Sequence, residues 1–314
     1  LSTLGVSVDF GFDETIVSFT SRLAAANRVG THQFCQHMGL SYEALAAGDV
    51  VAISKLMKLA GRDLDAGRYR SVVYRSRQLQ EVGGEILRKP TFIQHGQRYC
   101  PLCVADDIEN GRGPRISRAY ARLSWSVGVI RTCLRHEVSL LRANYRRPYT
   151  IAEVTRILSN NVARIDFAKV IRPARRTEFE EYVDGRLWGR VESRRWIDGL
   201  ELHDAITMCE RIGEAMVFGA EQITAGITEF LRSEAVDVGY RVLGSGDGVL
   251  EKFLGNLHRD YWNSGSHLEK RARYRKFCVR LGYDEADPVF GLIYAVAMEV
   301  APVARGDRFG RPER

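Results

Sequence analysis

The sequence predicts a mainly α protein in three parts: a helix-turn-helix domain, a small zinc-ribbon-like module and a helical C-terminal domain. Three observations point there. Short stretches of helically spaced apolar residues, separated by glycines, fill residues 1–62. Two cysteine-bearing knuckles stand either side of a loop in the middle of the chain. Helical periodicity returns after Pro148. The 314 residues favour two or three compact units. A hydrophobic content of 45% leaves enough apolar material for their cores.

In the first helix, Ile16, Phe19, Leu23 and Ala26 recur at helical spacing behind Asp13, the expected N-cap, and Gly30 stops it. Thr31 is expected to cap a second helix with Phe34 and Met38 inside, ended by Gly39. Ser41 starts a third segment. A fourth, from Asp49 to Ala60, carries Val51, Leu56 and Leu59 before Gly61. Short helices on glycine turns suit a helix-turn-helix, and equally a small helical bundle.

Residues 63–90 read as a connector with one helix or strand, broken by Gly67, Gly83, Gly84 and Pro90. The cysteine module spans 91–147 and the C-terminal domain 148–314. Thr150 and Glu153 spell a T-x-x-E capping box ahead of Val154, Ile157 and Leu158. Farther on, Leu202, Ile206, Cys209 and Met216 lie near one helical face. Leu250, Phe253, Leu254, Leu257 and Tyr261 repeat the pattern after "GSGDG" at 244–248.

The chemistry is concentrated in "RYCPLCVADD" from Arg98 and "RTCLRHEVSLL" from Arg131. Together they give Cys100-x2-Cys103-x29-Cys133-x2-His136. Zinc takes four soft or borderline ligands in a tetrahedron, and each tight knuckle places two on one side of the ion. The intervening loop exceeds the roughly 15–20 residues of a common ribbon, as an insertion between two halves allows. A redox C-x-x-C would ask for a βαβ setting that the neighbourhood lacks. His95, five residues before Cys100, is a rival ligand with a poorer spacing. A complete Cys3His set leaves no open position for water, so one structural Zn2+ is expected and no catalytic residue is assigned. The order H-x-E before P-C-x-x-C of zinc deaminases is absent. "GSGDG" lacks the Lys-Ser/Thr of a phosphate-binding loop, and no other nucleophile or metalloprotease motif occurs.

Between Arg112 and Arg147 nine arginines face a single acid, Glu137, giving +8 over 36 residues against +7 for the whole chain. Arginine forks suit phosphate oxygens, and interleaved aromatics can stack on bases. Arg112, Arg115, Arg118, Arg122, Arg131 and Arg135 are therefore the candidate contacts to nucleic acid or an acidic partner. Trp125, with Tyr120, is expected to pack beside the metal. A second basic run, "KRARYRK" from Lys270, reads as a wet helical face.

Six cysteines are too few for a disulfide scaffold, and Cys35, Cys209 and Cys278 stand singly among apolar residues, as in a reducing compartment. The opening shows no secretory pattern. The longest apolar stretch, "VFGLIYAVAM" from Val289, falls short of the roughly 20 residues of a membrane helix. A soluble, cytoplasmic protein without a membrane partner is expected.

These residues resemble the signature of the TniQ family, target-selection proteins of transposons. The family shows a C-P-x-C-L knuckle, a Y-x-R-x-x-W segment, then C-P-x-H-G followed by leucines. Cys100, Pro101, Cys103, Tyr120, Arg122, Trp125, Cys133, His136, Leu140 and Leu141 match it. The opening "FDETIVSFTSRLAAANRVGTHQFCQHMGL" is similar to the family's opening, an acidic residue before a helix ending R-L-A-x-A-N-G. Val127-Gly128 stands where Leu-Pro is usual, Leu134 replaces Pro and Glu137 replaces Gly; the ligands are unchanged. The resemblance implies a non-enzymatic adaptor. It would recognise a target, as DNA or through a targeting complex such as a CRISPR effector, and recruit an AAA+ ATPase and through it the transposase. A second copy of the chain is a further candidate partner. The alternatives are a zinc-containing DNA-binding regulator unconnected with transposition, and a zinc-dependent nuclease or deaminase with an open metal site.

Overall fold

The computed structural model describes residues 4–63, 71–88, 91–92, 97–144, 152–190, 195–219, 227–245, 248–249, 252–253 and 255–256. It is mainly α, and two compact units are distinguished: Leu1–Arg176 with Val183–Arg190, and Thr177–Tyr182 with Val191–Arg314.

The first unit opens with four helices, α1 (Ile16–Ala26), α2 (Thr31–His37), α3 (Tyr42–Ala46) and α4 (Val50–Leu59). They surround a core of Ile16, Phe19, Leu23, Phe34, Leu45, Ile53, Leu56 and Met57. Ser41 and Asp49 cap α3 and α4 by accepting from the N–H groups of Ala44 and Ala52. Gly39, Gly48 and Gly61 follow α2, α3 and α4 with positive φ. Two expected caps are corrected. Thr15, not Asp13, caps α1, accepting from Ser18 N–H at 3.2 Å. Asp13 has φ +58 and turns to the Ser124 hydroxyl, 2.6 Å away. Thr31 is the first residue of α2, after Gly30. Its N–H donates to Glu153 Oε1 at 2.7 Å and its hydroxyl to the Ala152 carbonyl at 3.0 Å.

The stretch read as a connector holds a three-stranded antiparallel sheet, β1 (Val73–Tyr74), β2 (Leu79–Val82) and β3 (Glu85–Arg88), in that order. Val82 pairs with Glu85 across Gly83-Gly84, whose φ values of +60 and +87 suit the two-residue hairpin turn. A Cβ on Gly83 would lie 2.1 Å from the Leu187 carbonyl oxygen.

Next come β4 (Arg98–Tyr99), α5 (Pro101–Asn110), 3-10 turns at Arg115–Ser117 and Ser124–Ser126, and β5 (Leu141–Arg142). β4 pairs antiparallel with β5. Helix α6 (Val154–Val162) sets Val154, Ile157 and Leu158 into the same core as the cysteines, and α7 (Phe167–Val170) follows. Thr150 lies outside the described residues, and the Glu153 carboxylate serves Thr31 at the start of α2.

Helix α8 (Glu178–Leu187) begins in the second unit and runs into the first from Val183. A T-x-x-E box does form at its start. Glu180 N–H donates to Thr177 Oγ1 at 3.1 Å and Thr177 N–H to Glu180 Oε2 at 3.5 Å. The rest of the described second unit is dominated by α9 (Leu202–Phe218) and α10 (Glu229–Gly244). They approach closely through glycine. A Cβ on Gly213 would sit 1.8 Å from the Ala235 carbonyl oxygen, and one on Gly239 2.1 Å from that of Cys209. Leu202, Ile206 and Cys209 are buried as expected, but Met216 is 42% exposed near the end of α9. Phe253 is described, whereas Leu250, Leu254, Leu257, Tyr261, "VFGLIYAVAM", "KRARYRK", His95 and Cys278 lie outside the described residues. Among the described residues, no helix is long and apolar enough to cross a membrane.

Candidate metal centre

Cys100 stands where β4 gives way to α5. It is the N-cap of α5, its sulfur accepting from Cys103 N–H at 3.5 Å, and Pro101 supplies a helical φ at the first position. One turn of helix therefore sets Cys103 beside Cys100. The second knuckle is a tight turn before β5. Cys133 N–H donates to the Val138 carbonyl at 2.9 Å and Glu137 N–H to the Cys133 carbonyl at 2.8 Å. Thr132 bridges to Ser139 and Tyr99 pairs with Leu141, so the two knuckles are drawn together by the β4–β5 ladder.

The ladder brings the three sulfurs and His136 Nδ1 within 4.8 Å of one another. Nδ1 lies 3.5 Å from Cys100 Sγ, 3.2 Å from Cys103 Sγ and 3.7 Å from Cys133 Sγ, and the Cys103 and Cys133 sulfurs are 3.6 Å apart. A cation bound at about 2.3 Å to sulfur and about 2.0–2.1 Å to nitrogen has tetrahedral edges of about 3.5–3.8 Å. The donor set and its spacing therefore fit a metal ion. Accepting from Cys100 and Cys103 holds the Cys133 thiol far below the ordinary thiol range. Its bonds with Cys100 and Cys133 push Cys103 far up. Proton sharing of this kind gives way to metal coordination, which needs thiolates.

Around the cluster, Trp125 is 2% exposed in one core with Cys100, Cys103, Cys133, Tyr99 and Val104. Tyr120 is half-buried, with the Arg22 and Arg122 guanidinium carbons 5.3 and 4.3 Å from its ring centroid. The far nitrogen of His136, Nε2, lies 3.2 Å from Asp106 Oδ2. A carboxylate there fixes the ring so that Nδ1 faces the sulfurs. Asp106 sits on α5 three residues after Cys103, and the spacing of the metal ligands gives no hint of its role.

The expected arginine contacts separate on inspection. Arg122 is buried, its fork paired with both Asp107 carboxylate oxygens at 2.9 and 3.1 Å, and its guanidinium lies 4.7 Å from the Trp125 ring. Burial lowers its pKa, but the charge and hydrogen bonds of Asp107, together with Cys103 and Tyr120, outweigh this and raise it. It is an internal strut, with its donors turned away from a phosphate. Arg118 is half-buried and donates to the carbonyls of Gly113, Ile108 and Glu109. Arg131 is half-buried. Arg135, 64% exposed, reaches Asp106 at 3.2 Å. Arg112 and Arg115 are exposed.

Four further residues were not legible as part of the centre. Glu14, fully buried, meets Arg22 at 2.6 Å, and Arg22 donates to the Ser117 carbonyl at 2.6 Å. Arg98, 5% exposed, donates to the Trp125 and Val127 carbonyls and to that of Gly128. Asp13 receives both the N–H and the hydroxyl of Ser124. Arg22, paired with Glu14, and Asp13 join α1 and the residues before it to the loop between the knuckles, and Arg98 ties β4 to the same loop.

Fold and site define a class first: a mainly helical protein with a Cys3His cluster, able to hold a metal ion, embedded among short helices. The family follows. A sequence profile of the TniQ family matches residues 6–140, so that part of the chain is similar to a TniQ domain. The match takes in α1 to α4, the three-stranded sheet, α5 and all four members of the cluster. No curated protein matches the chain. The TniQ match implies, in general terms, a transposition-associated role in target selection.

Proposed function

We propose that the protein is a non-enzymatic adaptor for target selection in transposition. It recognises DNA or a targeting complex, such as a CRISPR effector, and recruits an AAA+ ATPase, which brings in the transposase. The observation that carries this reading is the family match across residues 6–140, with the cluster inside it. Cys100, Cys103, Cys133 and His136 hold one structural Zn2+. Four protein donors complete a zinc shell, which argues against the open site a nuclease or deaminase needs. Helices α1 to α4 serve as the helix-turn-helix. Arg112, Arg115 and Arg135, exposed between and beside the knuckles, are the phosphate or partner contacts, with Arg118 and Arg131 in support. A homodimer and a cytoplasmic location belong to the same reading.

Two measurements test it. Co-purification of the chain with the AAA+ ATPase encoded beside a transposase gene is expected; its absence favours a regulator unconnected with transposition. DNA affinity in a salt series should fall steeply, with log K linear in log salt, and Arg112→Ala or Arg115→Ala should flatten the slope by about one unit each. Salt-insensitive or absent DNA binding would assign target recognition to protein contacts.

A further inference from the structure

An open cavity of about 830 Å³ lies in the first unit between α5, α6, α7 and the turn at Arg115–Ser117. Its volume is that of a site for two or three large side chains. The apolar part is formed by Ile108, Ile116, Val162 and Phe167. Ile116 is 49% exposed, although its neighbour Ser117 is fully buried. An isoleucine held half in water beside apolar neighbours is unfavourable for the free protein, and covering it contributes about 25 cal/mol for each Å² removed from water.

The edge of the cavity is cationic. Arg115 and Arg156 line it, with Glu109 the one carboxylate among the described lining residues. Arg156 is partly balanced by Glu153 at 3.3 Å. Arg118 bonds the carbonyls of Ile108 and Glu109, which occupies the exposed end of α5 and leaves the arginine's charge uncompensated by those partners. Arg115 and Arg156 thus set two positive charges against Glu109 on the lining, with Arg118 bonded to the carbonyls of two lining residues.

We propose that this groove docks an acidic segment of a partner protein. One or two bulky apolar side chains, leucine or phenylalanine, seat over Ile116 and Phe167, and flanking carboxylates meet Arg115 and Arg118. The apolar floor decides against nucleic acid here. A phosphate backbone has no apolar group to cover Ile116, whereas a peptide supplies both apolar side chain and carboxylate. The inference does not depend on the transposition reading.

The test uses the full, zinc-supplemented chain and fluorescence anisotropy. The probes are a labelled twelve-residue Asp/Glu-rich peptide with a central Leu-x-x-Phe, the same peptide with Ser at both apolar positions, a Lys-rich version, and a 20-base-pair duplex. The acidic apolar peptide should bind best, with Ile116→Asp and Arg115→Glu each weakening it about tenfold or more. Ile116 is half exposed, so its substitution should leave the melting temperature unchanged; Phe167→Ser is the second groove variant. Phe167→Ser, which adds no charge beside Arg115, should leave duplex affinity as it was. Equal binding of the Ser peptide, preference for the Lys-rich version, or unchanged peptide affinity in both Ile116→Asp and Phe167→Ser overturns the proposal. So does loss of duplex binding in those variants with peptide binding intact, which would make the groove a nucleic-acid site.

Discussion

At the scale of single residues, two carboxylates set measurable expectations. Asp106 lies 3.2 Å from His136 Nε2 and shares the same oxygen with Arg135. Asp106→Asn keeps the shape but removes the charge that orients and polarises the ring. Zinc affinity, measured by competition with a chromogenic chelator, should fall about 10- to 100-fold; an unchanged affinity would mean that packing alone orients His136. Asp13 is buried, and burial pushes its carboxyl up to about 6, against the two bonds from Ser124. An acid whose pKa is raised by folding binds its proton more tightly in the folded chain. Its effect is a loss of stability as pH rises from about 4, near the unfolded value, to about 6. Glu14 is displaced the same way by burial, opposed by Arg22. Asp13→Asn should therefore be more stable than the parent at pH 7 by up to about 2–3 kcal/mol, and its melting temperature should vary less between pH 4 and 6. An undiminished pH dependence in Asp13→Asn would assign the effect to Glu14.

At the scale of elements, the second knuckle shows how a departure from the family pattern is accommodated. Glu137 adopts φ +50, the left-handed region in which glycine is at ease and other residues are strained. Glycine is the residue the TniQ resemblance leads one to expect there. Glu137→Gly should stabilise the turn by about 1 kcal/mol, seen as a rise in melting temperature of the zinc-loaded protein; a fall would show that the Glu side chain contributes more than its backbone costs. Elements were legible where their determinants are local. Ser41 and Asp49 lie next to the helices they cap, and the two knuckles pair residues three apart, so spacing alone announced them. The missed features are long-range. Asp13 serves Ser124, 111 residues away, and Glu153 serves Thr31, 122 residues away, so neither carries out the cap its local sequence suggested. Strands β4 and β5 are two residues each, too short for any alternation to register. The arginine-rich loop was visible as charge, but Arg122 is withdrawn into a pair with Asp107 that only the direction of α5 establishes.

For the whole molecule, the N-terminal helices and the cysteine region are not separate in their energetics. Glu14–Arg22–Ser117, Asp13–Ser124 and Glu153–Thr31 are buried links between α1 or α2 and segments that surround the cluster. A buried charge left unpaired costs several kcal/mol. Losing the order of the knuckle loop takes the Ser117 carbonyl from Arg22 and both Ser124 bonds from Asp13. Chelation, or Cys133→Ser, should reduce amide-exchange protection in α1 and α2 together with that in α5, and lower the helical circular dichroism. Protection lost at α5 alone would make the helices an independent folding unit.

Cys100 caps α5 as well as contributing a sulfur to the cluster. The capping itself uses only the Cys103 N–H and the helical first turn after Pro101. The first knuckle is thus carried on a ten-residue helix, while the second rides on a turn that includes a strained glutamate. A metal ion held by these four donors would therefore fasten the start of that helix to the turn before β5, tying two unlike supports at a single point.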